Sequence, residues 1–129
     1  MNKKTLIAGS IFGLISIALG AFASHGLEKA ISKEAIETFQ VGVRYQMYHA
    51  VLLLFVGSSK QILPKSKQWI SILTIVGLIL FSGSIYGLST NELTQFDFKT
   101  IGFITPIGGL LLICSWVVML LGFLKLKDE

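Results

Sequence analysis

From Thr100 to Leu124 the chain reads TIGFITPIGGLLLICSWVVMLLGFL, 25 residues without an Asp, Glu, Lys or Arg. A helix rising about 1.5 Å per residue needs roughly 20 such residues to cross about 30 Å of hydrocarbon. Two further uncharged runs meet that length, Thr5 to Leu27 and Gln68 to Asn91, at 23 and 24 residues. The whole chain has 129 residues, 53% hydrophobic and only 14% charged. A soluble domain carries about 25% charged residues, so this is read as an integral membrane protein of one domain, residues 1–129.

Outward from these runs, the uncertain segment is the one between them. Arg44 interrupts it, and only 15 uncharged residues lie between Tyr45 and Ser59. A crossing follows if the helix starts near Phe39 and Arg44 sits one turn below the surface, where its side chain snorkels or pairs. A re-entrant or surface segment is the alternative. The first reading predicts an all-α, antiparallel four-helix bundle with spans at 5–24, 39–58, 68–89 and 101–124. Residues 25–38, with Leu27, Ala30, Ile31, Glu34, Ala35 and Thr38 at three and four spacings, predict a short outer amphipathic helix. Lys3 and Lys4 before an apolar run, with Ala21-Phe22-Ala23 ahead of Ser24, resemble a secretory signal. The run is long enough to span and is read as a retained first helix.

With four spans, Lys3, Lys4, Lys60, Lys65, Lys67, Lys125 and Lys127 fall on one side, against Lys29, Lys33 and Lys99 on the other. The excess of lysine predicts cytoplasmic N- and C-termini in a bacterial cell (inner or plasma) membrane. The formal charge of +4 then reflects topology and anionic headgroups, and nucleic acid is not an expected partner. Membrane lipids are expected, together with a second copy or a larger membrane protein. Gly9/Gly13 and Gly83/Gly87, each four apart, would let helices approach closely.

Depth along each helix gathers the polar groups. Arg44, Tyr45 and Tyr48 on the second span, Ser82, Ser84 and Tyr86 on the third, and Thr105 on the fourth all fall in the outer half. His49 lies near the midplane and His25 at the outer end of the first span. The inner half reads as nearly all aliphatic. Glu37, Gln40, Arg44 and Tyr48 share one helix face, so Arg44 reads either as a lock against Glu37 or as an anion or headgroup contact. Pro106, followed by Gly108 and Gly109, predicts a kink in the fourth helix. His25 and His49 are too far apart in depth to share a metal. Cys114 stands alone, and no nucleophilic triad, phosphate loop or HExxH motif occurs. No metal or cofactor is expected, and catalysis has no residue set to carry it.

Four blocks carry a resemblance: Gly20-Ala21-Phe22-Ala23-Ser24-His25-Gly26-Leu27, Tyr45-Gln46-Met47-Tyr48-His49-Ala50, Leu80-Phe81-Ser82-Gly83-Ser84-Ile85-Tyr86 and Thr105-Pro106-Ile107-Gly108-Gly109. In order and spacing they resemble the small bacterial membrane proteins of domain of unknown function 423, similar to animal transmembrane protein 256. The commoner first block is Gly-Ala-His-Gly, whereas here Ala23-Ser24 precedes His25-Gly26. The resemblance implies a four-span or near-four-span bundle and no reaction. It points to His25, Tyr45, Tyr48, His49, Ser82, Tyr86, Thr105 and Pro106. A structural or accessory role is the leading expectation. The alternative is lipid or small-molecule binding or transport through an outer-leaflet polar pocket.

Overall fold

The computed structural model describes residues 2–127. Four α-helices dominate them: α1, Asn2–His25; α2, Lys33–Ser58; α3, Pro64–Ser89; and α4, Ile104–Leu124. Among the described residues there is no strand. Helices α1, α3 and α4 are long and apolar enough to cross a membrane. Helix α2 matches α3 in length at 26 residues, about 39 Å of helix, but it is the more polar of the two.

Packing explains that polarity. Helix α2 lies against both α1 and α3, and its His49 is bonded to Trp116 of α4. Ten of its residues are buried and nine of α3, against four in α1 and three in α4. A helix with protein on several sides can hold polar side chains that a lipid-facing helix cannot. The outer helices face outward with exposed Ile7, Leu14, Ile17, Ile79, Leu110 and Leu120.

The amphipathic helix expected at 25–38 does not form as one element. Helix α1 runs to His25, a 3-10 turn occupies Leu27–Lys29, and α2 already begins at Lys33. Ser32 starts α2 by accepting a hydrogen bond from the Ala35 amide at 3.1 Å, the usual role of an N-cap serine. The apolar residues of this segment turn inward instead, where Leu27 packs with Ala23, Phe39 and Val43. At the other end, Leu52, Val56, Ile62 and Ile70 form a second cluster, with Val118, Met119 and Phe123 against it.

Helix α4 starts three residues later than expected. Asn91 Oδ1 accepts from the Phe98 amide at 2.7 Å and Asp97 Oδ1 from the Lys99 amide at 3.1 Å, which stabilises a 3-10 turn over Phe98–Ile101. Pro106 therefore occupies the first turn of α4, where its missing N–H costs no helical bond.

Glycines set the helix approaches. A Cβ on Gly9 would lie 2.9 Å from the Ala50 carbonyl oxygen, and one on Gly57 2.9 Å from Leu6. A Cβ on Gly108 would strike the backbone of Phe81, and one on Gly77 the side chain of Leu112. Without apolar driving force between helices in lipid, such backbone proximity supplies much of the attraction. Of the pairs expected from sequence, Gly9 takes this role, while Gly13 is in ordinary contact and Gly83 meets nothing. Gly87 accommodates the ring of Phe98.

Candidate functional site

The polar residues expected to meet in one outer layer are divided among separate interfaces. The largest group joins α1, α2 and α3 through Gln46, which is 4% exposed. Its Nε2 donates to the Phe12 carbonyl at 2.9 Å, and its Oε1 accepts from the Tyr86 hydroxyl at 2.6 Å. Tyr86 is held there by Phe39, with ring centroids 4.9 Å apart. Its ring lies where a Cβ on Gly42 would come within 2.7 Å. Ser82, buried on the same face of α3, donates to the Gly42 carbonyl at 2.8 Å.

A second group lies between α2 and α4. His49 Nδ1 is 2.7 Å from the Tyr45 carbonyl, and Trp116 Nε1 donates to His49 Nε2 at 3.0 Å. A carbonyl only accepts and an indole N–H only donates. The two bonds together select the neutral imidazole with its proton on Nδ1. The Tyr45 ring stacks on the imidazole with centroids 6.5 Å apart, Tyr48 meets Tyr45 at a tilt, and Tyr48 is 55% exposed. Two adjoining grooves of about 350 and 550 Å³ share Tyr45, His49 and Trp116; Phe81, Gly109 and Ile113 line the smaller, Met47, Tyr48 and Val51 the larger.

The remaining residues are apart from both groups. Ser84 and Thr105 hydrogen-bond to each other between α3 and α4. Arg44, Gln40 and Glu37 line an open groove of about 610 Å³ on an outer face of α2 with Glu34 and Thr38, and the Arg44 side chain is exposed. His25 is exposed at the end of α1. Gly108 is buried against α3, and Gly109 faces the Phe81 ring.

The expectation of an aliphatic inner half needs correction. Thr5 and Ser71 hydrogen-bond across α1 and α3 at 2.9 Å, and Lys67 Nζ reaches Asn2 Oδ1 at 3.4 Å. Thr74 is fully buried, and its hydroxyl is without a partner among the described residues. Among those residues, no three of His, Cys, Asp and Glu converge as a metal site would require.

Gln46 and Trp116 were not among the residues singled out from sequence. Gln46 stood inside a quoted block but carried no charge to mark it, and Trp116 lay within the uncharged run from Thr100 to Leu124. A buried amide two residues from an exposed arginine, and an indole N–H deep in a span, each need a partner. That requirement was the available signal.

The model of the family described as "Protein of unknown function (DUF423)" matches residues 19–109. A UPF0382 membrane protein of Staphylococcus saprophyticus is 36% identical over 124 residues, covering 96% of this chain and 99% of its own. This chain belongs to that family. YwdK of Bacillus subtilis, a UPF0382 membrane protein, is also 36% identical, covering 95% of this chain and 98% of its own length. YgdD of Escherichia coli, a UPF0382 inner membrane protein, is 36% identical over 130 residues, covering 99% of this chain and 95% of its own. No solved structure matches the chain. Family membership makes this a bacterial membrane protein and names no reaction.

Proposed function

We propose that the chain is an antiparallel four-span bundle whose role is structural or accessory, with its polar residues fastening helices together. The observation that carries this reading is Gln46, whose amide donates to α1 and accepts from α3 at once. Both ends of this buried amide are thus directed at other helices. The order of contacts supports the antiparallel arrangement: Leu6 with Gly57, Gly9 with Leu53 and Gly20 with Val43. Ser84 with Thr105, Phe81 with Gly108 and Gly77 with Leu112 follow the same reversed order. Lysine distribution supports cytoplasmic termini. Pro106 serves in this reading as a helix start, and Gly108 as the close crossing with α3, so neither acts as a hinge.

A double-mutant cycle tests the fastening role. Gln46→Leu and Tyr86→Phe, singly and together, are melted in detergent. Interhelical hydrogen bonds in membranes are worth about 0.6 kcal/mol on average and up to about 1.7, so coupling in that range is expected. Additive losses with no coupling would contradict it.

A second reading has its own observation, the pair of grooves lined by Tyr45, Tyr48, His49 and Trp116. Lipid or small-molecule binding there predicts saturable quenching of Trp116 fluorescence by a brominated-chain phospholipid in a Trp69→Phe background. Quenching strictly proportional to lipid content would instead mean bulk lipid contact.

A further inference from the structure

Lys67 is 7% exposed, and among the described residues its ammonium has one hydrogen-bond partner, the neutral amide oxygen of Asn2 at 3.4 Å. A lysine ammonium has three donors and a full charge. Buried charge that meets no opposite charge is costly. The surroundings raise that cost. Lys67 follows Pro64, the first residue of α3, by three positions, so it stands in the positive end of that helix dipole. Asn2 is the first described residue of α1, whose dipole has the same sign at that end. Neither first turn contains an acidic residue, and the residue before α3, Leu63, offers no side-chain cap.

The other described charged residues at this end are also positive. Residues 2–4, 59–67 and 125–127 contain seven lysines and no Asp or Glu. Gly57 sits against Leu6 and the Asn2 carbonyl, and Ile62 lies in the cluster that includes Phe123. The start of α1 thus meets the end of α2, the loop before α3 meets the end of α4, and Lys67 is a buried cation on this side. It lies at an end of helices long enough to cross a bilayer, the level at which phosphate groups are found.

We propose that Lys67, with the first turns of α1 and α3 that hold no acidic residue, binds the phosphate of an anionic phospholipid headgroup. A phosphodiester supplies the negative charge and the acceptor oxygens that the ammonium and free amides need. Lys3 and Lys65 flank the position on the surface and would strengthen attraction to an anionic leaflet. The site is independent of the role assigned to the Gln46 network and of which way the bundle is inserted.

The test compares the full chain in phosphatidylcholine vesicles, in vesicles with added phosphatidylglycerol, and in phosphatidylcholine with inorganic phosphate. Wild type should melt higher with phosphatidylglycerol than without, and inorganic phosphate should not reproduce the gain. Lys67→Gln should abolish the gain while melting no lower than wild type in phosphatidylcholine alone, because an uncompensated charge has been removed. Lys67→Arg and the surface variant Lys65→Gln should each retain it. Native mass spectrometry should show wild type retaining phosphatidylglycerol over phosphatidylcholine, a preference reduced roughly fivefold in Lys67→Gln, the worth of about one lysine at an anionic surface. Equal melting of wild type in both vesicles would mean that the charge is met within the chain, and overturns the proposal. Loss of the gain in Lys65→Gln as fully as in Lys67→Gln would reduce it to diffuse attraction. Full rescue by inorganic phosphate would overturn the lipid as the source.

Discussion

Gln46 and Arg44 are two residues apart on α2, yet their contributions should differ sharply. Gln46 is buried and bonded to two other helices, whereas Arg44 is exposed on the opposite side of α2. Arg44→Ala should leave thermal stability in detergent unchanged to within about 0.5 kcal/mol, as for most exposed substitutions. Gln46→Ala should lower it by about 1–3 kcal/mol, since the half-buried Tyr86 hydroxyl loses the acceptor it donates to, while the Phe12 carbonyl keeps its bond from Ser16 Oγ. The reverse ranking in a melting experiment would restore the reading of Arg44 as a lock. Charge drew attention to Arg44 in the sequence, because a guanidinium inside an apolar run is conspicuous. Burial decides energy, and burial depends on which face of α2 meets α1 and α3. Polar residues on different faces of α2, Gln40 and Arg44 on one and Gln46 and His49 elsewhere, leave that rotation unmarked in the sequence. Trp116 was obscured because the acceptor of its indole N–H, His49, lies on another helix.

At the scale of the helices, glycine is informative only where a neighbour's backbone occupies the missing Cβ. Gly108→Ala should force α3 and α4 apart, because the new methyl meets the backbone of Phe81, which cannot swing away. Overpacking of this kind costs about 1–3 kcal/mol. Gly83→Ala should be tolerated or stabilising, because nothing lies within 4 Å of its added Cβ and alanine is favoured over glycine in a helix by about 1 kcal/mol. Melting curves of the two variants decide the matter; equal losses would mean that Gly83 is also packed, against a second copy. The paired spacing of Gly83 and Gly87 had suggested a crossing, whereas the crossing glycines of α3 and α4 are Gly77 and Gly108, on different helices. Spacing within one helix cannot reveal which glycine faces which neighbour. Helix starts were missed too: α2 begins at Lys33 and α3 at Pro64, ahead of the spans expected from 39 and 68, because Ser32 caps the one and Pro64 opens the other. The late start of α4 depends on Asn91 reaching seven residues ahead to Phe98, which no local pattern contains.

For the molecule as a whole, three helices declare themselves as spans by length and apolar content, and the sequence was sufficient for those. Helix α2 does not, because it holds the polar residues that the other three helices partner. Its crossing is the claim on which the antiparallel bundle and the shared sidedness of the termini depend. Single cysteines at Lys3, Lys60 and Asn91, introduced into a Cys114→Ala background, can be labelled with an impermeant thiol reagent in sealed vesicles of known orientation. The account predicts that positions 3 and 60 react from one side and position 91 from the other. Position 60 reacting opposite to position 3, with position 91 on the same side as position 3, would contradict it.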